Sequence, residues 1–394
     1  MKILWNSSTP IGISGYGICT RELTRRAHED GHFIRIATKH GYFGWHEWEK
    51  GIDVFDGNLN HLNRMLEYEK FDYVFSHWDI WVLNKKKPIF RFPKEKWVAY
   101  IPIDTEKIST ALIDVSKDVG IPVALSKHGK RELEGAGIKN VLYAPHGVDT
   151  KAFCPNEKGR QAERKFYKWD NDTFVIGSVG LNYPDDRKGF IQLMRAFKMF
   201  HDDHPKSRLY LHTHAPGLNP NTINLSEIAV NLGIEKLISF PDQLGYDLNH
   251  IDEEWLSDTY NSFDVFCLPT LGEGFGLPLI EAQACGVPVI TTDTTTGPEL
   301  AGDTGWLIPQ HEDDLHYMPT GTWRAHIRPS EILKCLELAH SAWKYGGYGK
   351  IKENAREFAL QYEWDVIWKK YWQPIFKLME AKLIKRKKRK KKNG

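Results

Sequence analysis

The sequence predicts an α/β protein built from two Rossmann-like parallel-sheet domains. Three observations carry that expectation. Short apolar runs alternate with helix-periodic segments along almost the whole chain, the pattern of parallel strands joined by crossover helices. The length, 394 residues, is long for one domain and sufficient for two. A polar stretch at 146–172 without a strand signal separates two halves of similar size.

Taken in order, the first half places strands near 2–5, 33–37, 73–76, 98–101, 121–124 and 141–144, with helices between them, among them 18–30 and 126–135. This is the expected N-terminal domain, 1–150, followed by a linker at 151–172. The second domain, 173–361, should carry strands near 174–179, 208–213, 238–240, 265–268, 287–291 and 305–308. Mixed composition at 309–329 reads as a surface excursion. Trp364, Trp368, Tyr371 and Trp372 recur at helical spacing, so a helix over 362–381 is expected to dock its aromatic stripe back on the first domain. The last segment, 382–394, is lysine-rich and expected to be disordered.

Composition narrows the function classes. With 41% apolar and 26% charged residues and no apolar run of membrane-spanning length, the chain reads as a soluble cytoplasmic protein. Five widely spaced cysteines suggest reduced structural thiols rather than a disulfide frame or a zinc site. The net charge of +2 conceals an asymmetry: without Lys382 and the basic run 385–392, 44 basic residues face 51 acidic ones. That run could meet an anionic membrane surface, making the enzyme peripheral there, or nucleic acid; it could also merely solubilise.

The most informative segment is 270–298, TLGEGFGLPLIEAQACGVPVITTDTTTGP. A buried strand leads into a glycine-rich turn and then an apolar helix, with Glu273 in the turn and Glu281 on the helix. A helix N-terminus exposes backbone N–H groups and the positive end of its dipole, which favours a phosphate. Six glycines and prolines between 272 and 288 are too many for a plain connector.

The string EGFGLPLIEAQACGVPVI resembles the paired-glutamate signature of family four of the retaining glycosyltransferases, group 1, which have the two-Rossmann-domain GT-B fold with domains facing across a cleft. By that resemblance Glu281 holds the ribose diol of a nucleotide and Glu273 approaches the donor sugar. Gly274, Phe275, Gly276 and Leu277 approach the sugar and diphosphate. A second match, SVGLNYPDDRKGF at 178–190, places Lys188 as the phosphate-binding lysine. Relatives also carry an arginine just after the strand's glycine; here that place holds Leu181 or Asn182. Arg187 is a candidate substitute, although neighbouring side chains on a turn tend to diverge.

The loop with Gly15, Tyr16 and Gly17 is not in G-x-G-x-x-G order, which argues against NAD; in the family such a loop contacts the diphosphate. Asp104, after an apolar strand, is either an acceptor- or sugar-orienting carboxylate or a helix N-cap. Asp170-Asn171-Asp172 spells D-x-D but sits where a turn is expected, and no metal is assigned.

The resemblance implies a metal-independent retaining hexosyltransferase. No cofactor is called for: the co-substrate is a nucleotide sugar, UDP- or GDP-linked, and the acceptor is a hydroxyl of a glycan, lipid or other glycoconjugate. Two alternatives stand beside it. One is a DNA-base glycosyltransferase tethered by the basic tail. The other is a non-catalytic nucleotide-sugar-binding protein, for which the missing arginine is the argument.

Overall fold

All twelve apolar runs form strands within a few residues of where periodicity placed them. The computed structural model describes residues 1–38, 44–57, 59–79, 93–217, 222–247, 252–311, 314–318 and 322–392. These divide into two units. One comprises Met1–Ile103, Lys107–Gly147 and Trp364–Gly394; the other comprises Asp104–Glu106 and Val148–Glu363.

The first unit holds an eight-stranded sheet: β1 (Lys2–Ser7), β2 (Phe33–Thr38), β3 (Trp45–Glu49), β4 (Ile52–Asp56), β5 (Tyr73–His77), β6 (Trp97–Ile101), β7 (Ile121–Ala124) and β8 (Leu142–Tyr143). Their order is β3-β4-β2-β1-β5-β6-β7-β8, parallel except for the β3–β4 pair. Periodicity missed β3 and β4. The five residues of β3, WHEWE, are exposed or half-buried, so they lack the apolar run that marks a central strand.

The second unit has six parallel strands: β9 (Phe174–Val179), β10 (Ser207–His212), β11 (Ile238–Ser239), β12 (Val265–Leu268), β13 (Val289–Thr292) and β14 (Trp306–Ile308). The order β11-β10-β9-β12-β13-β14 reverses direction between β9 and β12. Such a reversal opens a crevice at the carboxyl ends of those two strands, where open α/β sheets bind ligands. Helix Phe190–Asp203 packs beside it, burying Phe190, Leu193, Met194, Phe197 and Phe200 at helical spacing. Each such side chain contributes about 1.5–3 kcal/mol.

Two expectations need correction and a third gains detail. Residues 151–172 are no loose linker: helix Glu157–Phe166 belongs to the second unit, and Arg160 and Arg164 converge on the buried Asp264 carboxylate at 2.6 and 3.2 Å. Polar composition hid this because the buried surface is guanidinium rather than hydrocarbon. The excursion at 309–329 contains an antiparallel hairpin, β15 (His316–Tyr317) with β16 (Trp323–Arg324). The terminal segment is not loose coil, since helix Gln373–Lys392 runs through it. Lysine and arginine are good helix formers, and Arg386 donates to the carbonyls of Glu95 and Asp72 within the first unit. The aromatic stripe before it buries Trp364, Trp368 and Trp372 in that unit.

Candidate functional site

The crevice between β9 and β12 brings together two loops distant in sequence. The loop after β9 carries Arg187 and Lys188, and the loop after β12 carries Glu273. Gly189 makes the first turn possible. It begins helix Phe190–Asp203 at φ +71°, and a Cβ there would stand 2.1 Å from the carbonyl oxygen of Pro269. Asp186 accepts the N–H groups of Phe190 and Ile191 at 2.9 and 3.1 Å, tying the turn to the helix start. Burial pushes the Asp186 carboxyl up to about 6, against those two hydrogen bonds.

Lys188 Nζ lies 2.5 Å from Glu273 Oε1, and Arg187 Nη1 lies 3.8 Å from Glu273 Oε2. Neighbouring side chains therefore do reach one carboxylate, contrary to the expectation that they diverge. The geometric reason is that Glu273 presents both oxygens, one to each cation. Both Lys188 and Glu273 are buried. Burial alone would raise the Glu273 carboxyl, but Lys188 and Arg187 outweigh it and hold it below the usual range. Burial lowers the Lys188 ammonium, with Glu273 opposing. Burial also disfavours the Arg187 charge, but Glu273 and Asp104 more than restore it.

The Glu273 loop is braced from behind by threonines at the end of β13 and just after it. Glu273 N–H donates to Thr295 Oγ1 at 3.1 Å, and Thr296 Oγ1 donates to the Phe275 carbonyl at 2.5 Å. Thr292 Oγ1 donates to the Thr270 carbonyl at 2.7 Å. Glu106 in turn accepts from the Thr294 hydroxyl and, at 3.1 Å, from Thr295 N–H. Sequence reading missed these braces, although five threonines between 291 and 296 were a visible signal.

Asp104 is not the N-cap of the following helix, since Ser109 caps Thr110–Ser116. Its Oδ2 instead lies 3.5 Å from Arg187 Nη1 and 3.1 Å from Arg324 Nη2. Gly272 permits this closeness: a Cβ there would meet the Asp104 carbonyl oxygen at 2.2 Å.

Gly274 and Phe275 lead into helix Leu277–Ala284, which Gly276 precedes as N-cap at φ +101°. Pro278 has no N–H and Leu279 N–H donates to the Gly276 carbonyl at 3.0 Å, so an anion at this helix start would meet the N–H groups of residues 274–277, beside the positive end of the helix dipole. Glu281, buried on that helix, accepts from Tyr260 Oη at 2.7 Å. Burial pushes its carboxyl up to about 7, with the Tyr260 hydrogen bond opposing. The two glutamates thus differ electrostatically: Glu273 is held charged, and Glu281 is held close to neutrality. Tyr260 was invisible to motif reasoning because it reaches Glu281 only through the fold.

Gly15, Tyr16 and Gly17 belong to the first unit. Ser14 caps their helix through Gly17 N–H, His146 Nε2 contacts the Gly15 carbonyl at 3.0 Å, and Tyr16 Oη donates to Asp79 at 2.6 Å. The D-x-D string lies in a turn before β9, with Asp172 paired to Lys206. Among the described residues no group of three or more His, Cys, Asp or Glu could hold a metal ion, and no helix is long and apolar enough to cross a membrane.

The family model described as "Glycosyl transferases group 1" matches residues 173–316. Residues 173–316 are a group 1 glycosyltransferase domain. This stretch contains Lys188, Glu273 and Glu281. Over 165 residues the chain is 34% identical to a D-inositol 3-phosphate glycosyltransferase of Geodermatophilus obscurus, covering 40% of this chain and 33% of that protein. Over 220 residues it is 31% identical to the capsular polysaccharide biosynthesis glycosyltransferase CapM of Staphylococcus aureus, covering 54% of this chain and 50% of that protein. The chain thus spans about a third to a half of the length of the curated relatives it matches.

Among solved structures, a sucrose-phosphate synthase of Thermosynechococcus elongatus superposes with TM-score 0.72 at 18% identity, covering 97% of this chain and all of that one. HepE of Anabaena, solved with UDP and glucose, gives 0.68 at 16% identity, covering 97% of this chain and 100% of that one. The fold outside the group 1 domain is therefore of the same two-sheet GT-B type.

Proposed function

We propose that the chain is a retaining glycosyltransferase that moves a sugar from a nucleotide-diphosphate sugar to an acceptor hydroxyl. The observation that carries the reading is the cluster of buried Lys188 and Glu273 with half-buried Arg187 at the β9/β12 switch point, and Glu281 on the adjoining helix. Lys188 faces the diphosphate and, with the amides of Gly274–Leu277, stabilises the charge that develops as it leaves. Glu273 positions the donor sugar. The ribose diol donates to Glu281, whose Oε2 also accepts from Tyr260 Oη.

In this scheme the bond from the anomeric carbon to the leaving phosphate oxygen breaks while the acceptor oxygen bonds to the same face. The acceptor's proton passes to the leaving phosphate oxygen. The leaving phosphate oxygen acts as the base in place of a protein group, and Lys188 with the loop amides supplies countercharge without a metal ion. UDP or GDP is the proposed nucleotide; HepE of Anabaena, of the same fold, was solved with UDP-glucose. The decisive measurement is a thermal-shift screen of UDP-, GDP- and ADP-sugars followed by labelled-donor turnover. A donor present at about 100 times its Kd should stabilise the fold by about 2.7 kcal/mol, and Glu273→Ala should abolish turnover. No shift with any donor, or undiminished turnover by Glu273→Ala, would sink the reading.

The basic end of helix Gln373–Lys392 supports a second, additive proposal, that it meets an anionic lipid surface. A cationic helix end adds about 1 kcal/mol per basic residue near such a surface. Removing residues 385–392 should abolish salt-sensitive sedimentation with phosphatidylserine vesicles while leaving transfer to a soluble acceptor unchanged. Retained vesicle binding, or loss of duplex-DNA binding alone, would overturn it.

A further inference from the structure

The place just after Gly180, the glycine that follows β9, carries no charge in this chain. Leu181 is exposed, and the Asn182 amide is spent on the carbonyls of His214 and Ile223 at 3.1 and 2.6 Å. A sugar-linked diphosphate carries two negative charges, one on each phosphate. Lys188 supplies one countercharge, and Arg187 is already engaged with the Gly272 carbonyl at 3.0 Å and with two carboxylates.

Arg324 reaches the same cluster from the inserted hairpin, although no sequence motif marks it. Its side chain is 10% exposed. Nη2 donates to Asp104 Oδ2 at 3.1 Å, the oxygen that also faces Arg187. Among the described residues its buried Nε and Nη1 have no hydrogen-bond acceptor; Nη1 pairs with Asp185 Oδ2 only at 3.7 Å, beyond hydrogen-bond distance. A buried guanidinium with two unfilled donors is costly unless a ligand completes it, and donors on two edges of one cation can meet separate oxygens of a diphosphate. The hairpin holds it in place, since Glu106 N–H donates to the Trp323 carbonyl at 3.2 Å.

We propose that Arg324 is a donor-binding residue whose Nε and Nη1 take oxygens of the nucleotide diphosphate, with Asp104 fixing the guanidinium plane. This rests on the donor-site reading above. It assigns the 309–329 insertion a part in donor binding, and makes Asp104 a positioning residue rather than a sugar contact.

The test uses the full chain and inorganic pyrophosphate as the probe, measured by calorimetry. Loss of a charge-assisted contact worth about 1.5–3 kcal/mol corresponds to about tenfold or more in affinity. Arg324→Gln should weaken pyrophosphate binding by about tenfold or more, with the circular dichroism spectrum retained. Should that variant unfold because Asp104 loses its partner, the paired variant Arg324→Gln/Asp104→Asn decides instead, with the same expectation. Lys188→Gln, which should also weaken binding, is the companion arm. If Lys188→Gln weakens binding while the Arg324 variant stays within about fivefold of wild type, the inference falls and the donor site stands. If pyrophosphate does not bind wild type, or neither change matters, the donor-site reading falls and takes the inference with it. A rise in KM for the acceptor alone, with pyrophosphate affinity kept, also overturns it.

Discussion

Lys188→Met will remove transfer and destabilise the second unit, and adding Glu273→Gln will restore stability without restoring transfer. The expectation follows from the buried 2.5 Å contact between Lys188 Nζ and Glu273 Oε1. Removing one partner of a buried ion pair costs about 3–5 kcal/mol, because the remaining charge stays desolvated. Arg187, at 3.8 Å from the other oxygen, compensates only in part. Neutralising Glu273 as well relieves that penalty, so urea midpoints of the double variant should return towards wild type. Turnover should remain about 10²–10³-fold down or lower, the usual loss when one donor to a developing anion is removed.

The sign of the pH dependence of stability follows. Glu273 is depressed in the folded state, so its contribution is present above the ordinary glutamate range and disappears as pH falls through the lower folded value. Lys188→Met should therefore have little effect on melting at strongly acid pH and its full effect near neutrality. Equal destabilisation at both would mean that the pair is not what holds the loop.

Donor affinity will rise with pH up to about 7 and then level off, and Glu281→Gln will abolish the slope. Burial pushes the free carboxyl up to about 7, so below that pH it is mostly protonated. A ribose diol donates two hydrogen bonds and prefers the carboxylate, so binding must expel the proton. The affinity then approaches tenfold per pH unit well below 7 and flattens above it. The linkage to folding has the opposite sense. A raised carboxyl stabilises the folded state below its unfolded value, and that stability is lost as pH rises towards 7, by about 3 kcal/mol for a shift from 4.5 to about 7. Calorimetry of an intact UDP-sugar, whose diphosphate does not titrate there, in two buffers at pH 6 should show release of nearly one proton. Uptake, or no exchange, would refute the assignment of Glu281 to the diol.

The paired glutamates and the lysine were legible because their chemistry is local: a strand end, glycines for a tight turn and a helix start are adjacent in sequence. Periodicity located the parallel strands for the same reason, since strands buried on both faces read as apolar runs. The edge strand β3 and its neighbour β4 escaped because partly exposed strands lack such runs. Helix Glu157–Phe166 escaped because its anchors, Arg160 and Arg164, look solvated until Asp264 is found beneath them.

By itself the sequence determined the α/β class and the group 1 signature and singled out Lys188, Glu273 and Glu281 as candidates, since each depends on neighbours within a few residues. Only the tertiary structure decided which partners those residues have. Arg187 and Lys188 share one carboxylate because β9 and β12 are adjacent in the sheet although 85 residues separate Lys188 from Glu273. Tyr260 on Glu281, the threonine braces and Arg324 on Asp104, 220 residues away, are set by the same cause. Burial and Coulomb interaction act through space, so the opposite protonation tendencies of two glutamates eight positions apart arise from packing rather than from the motif that names them.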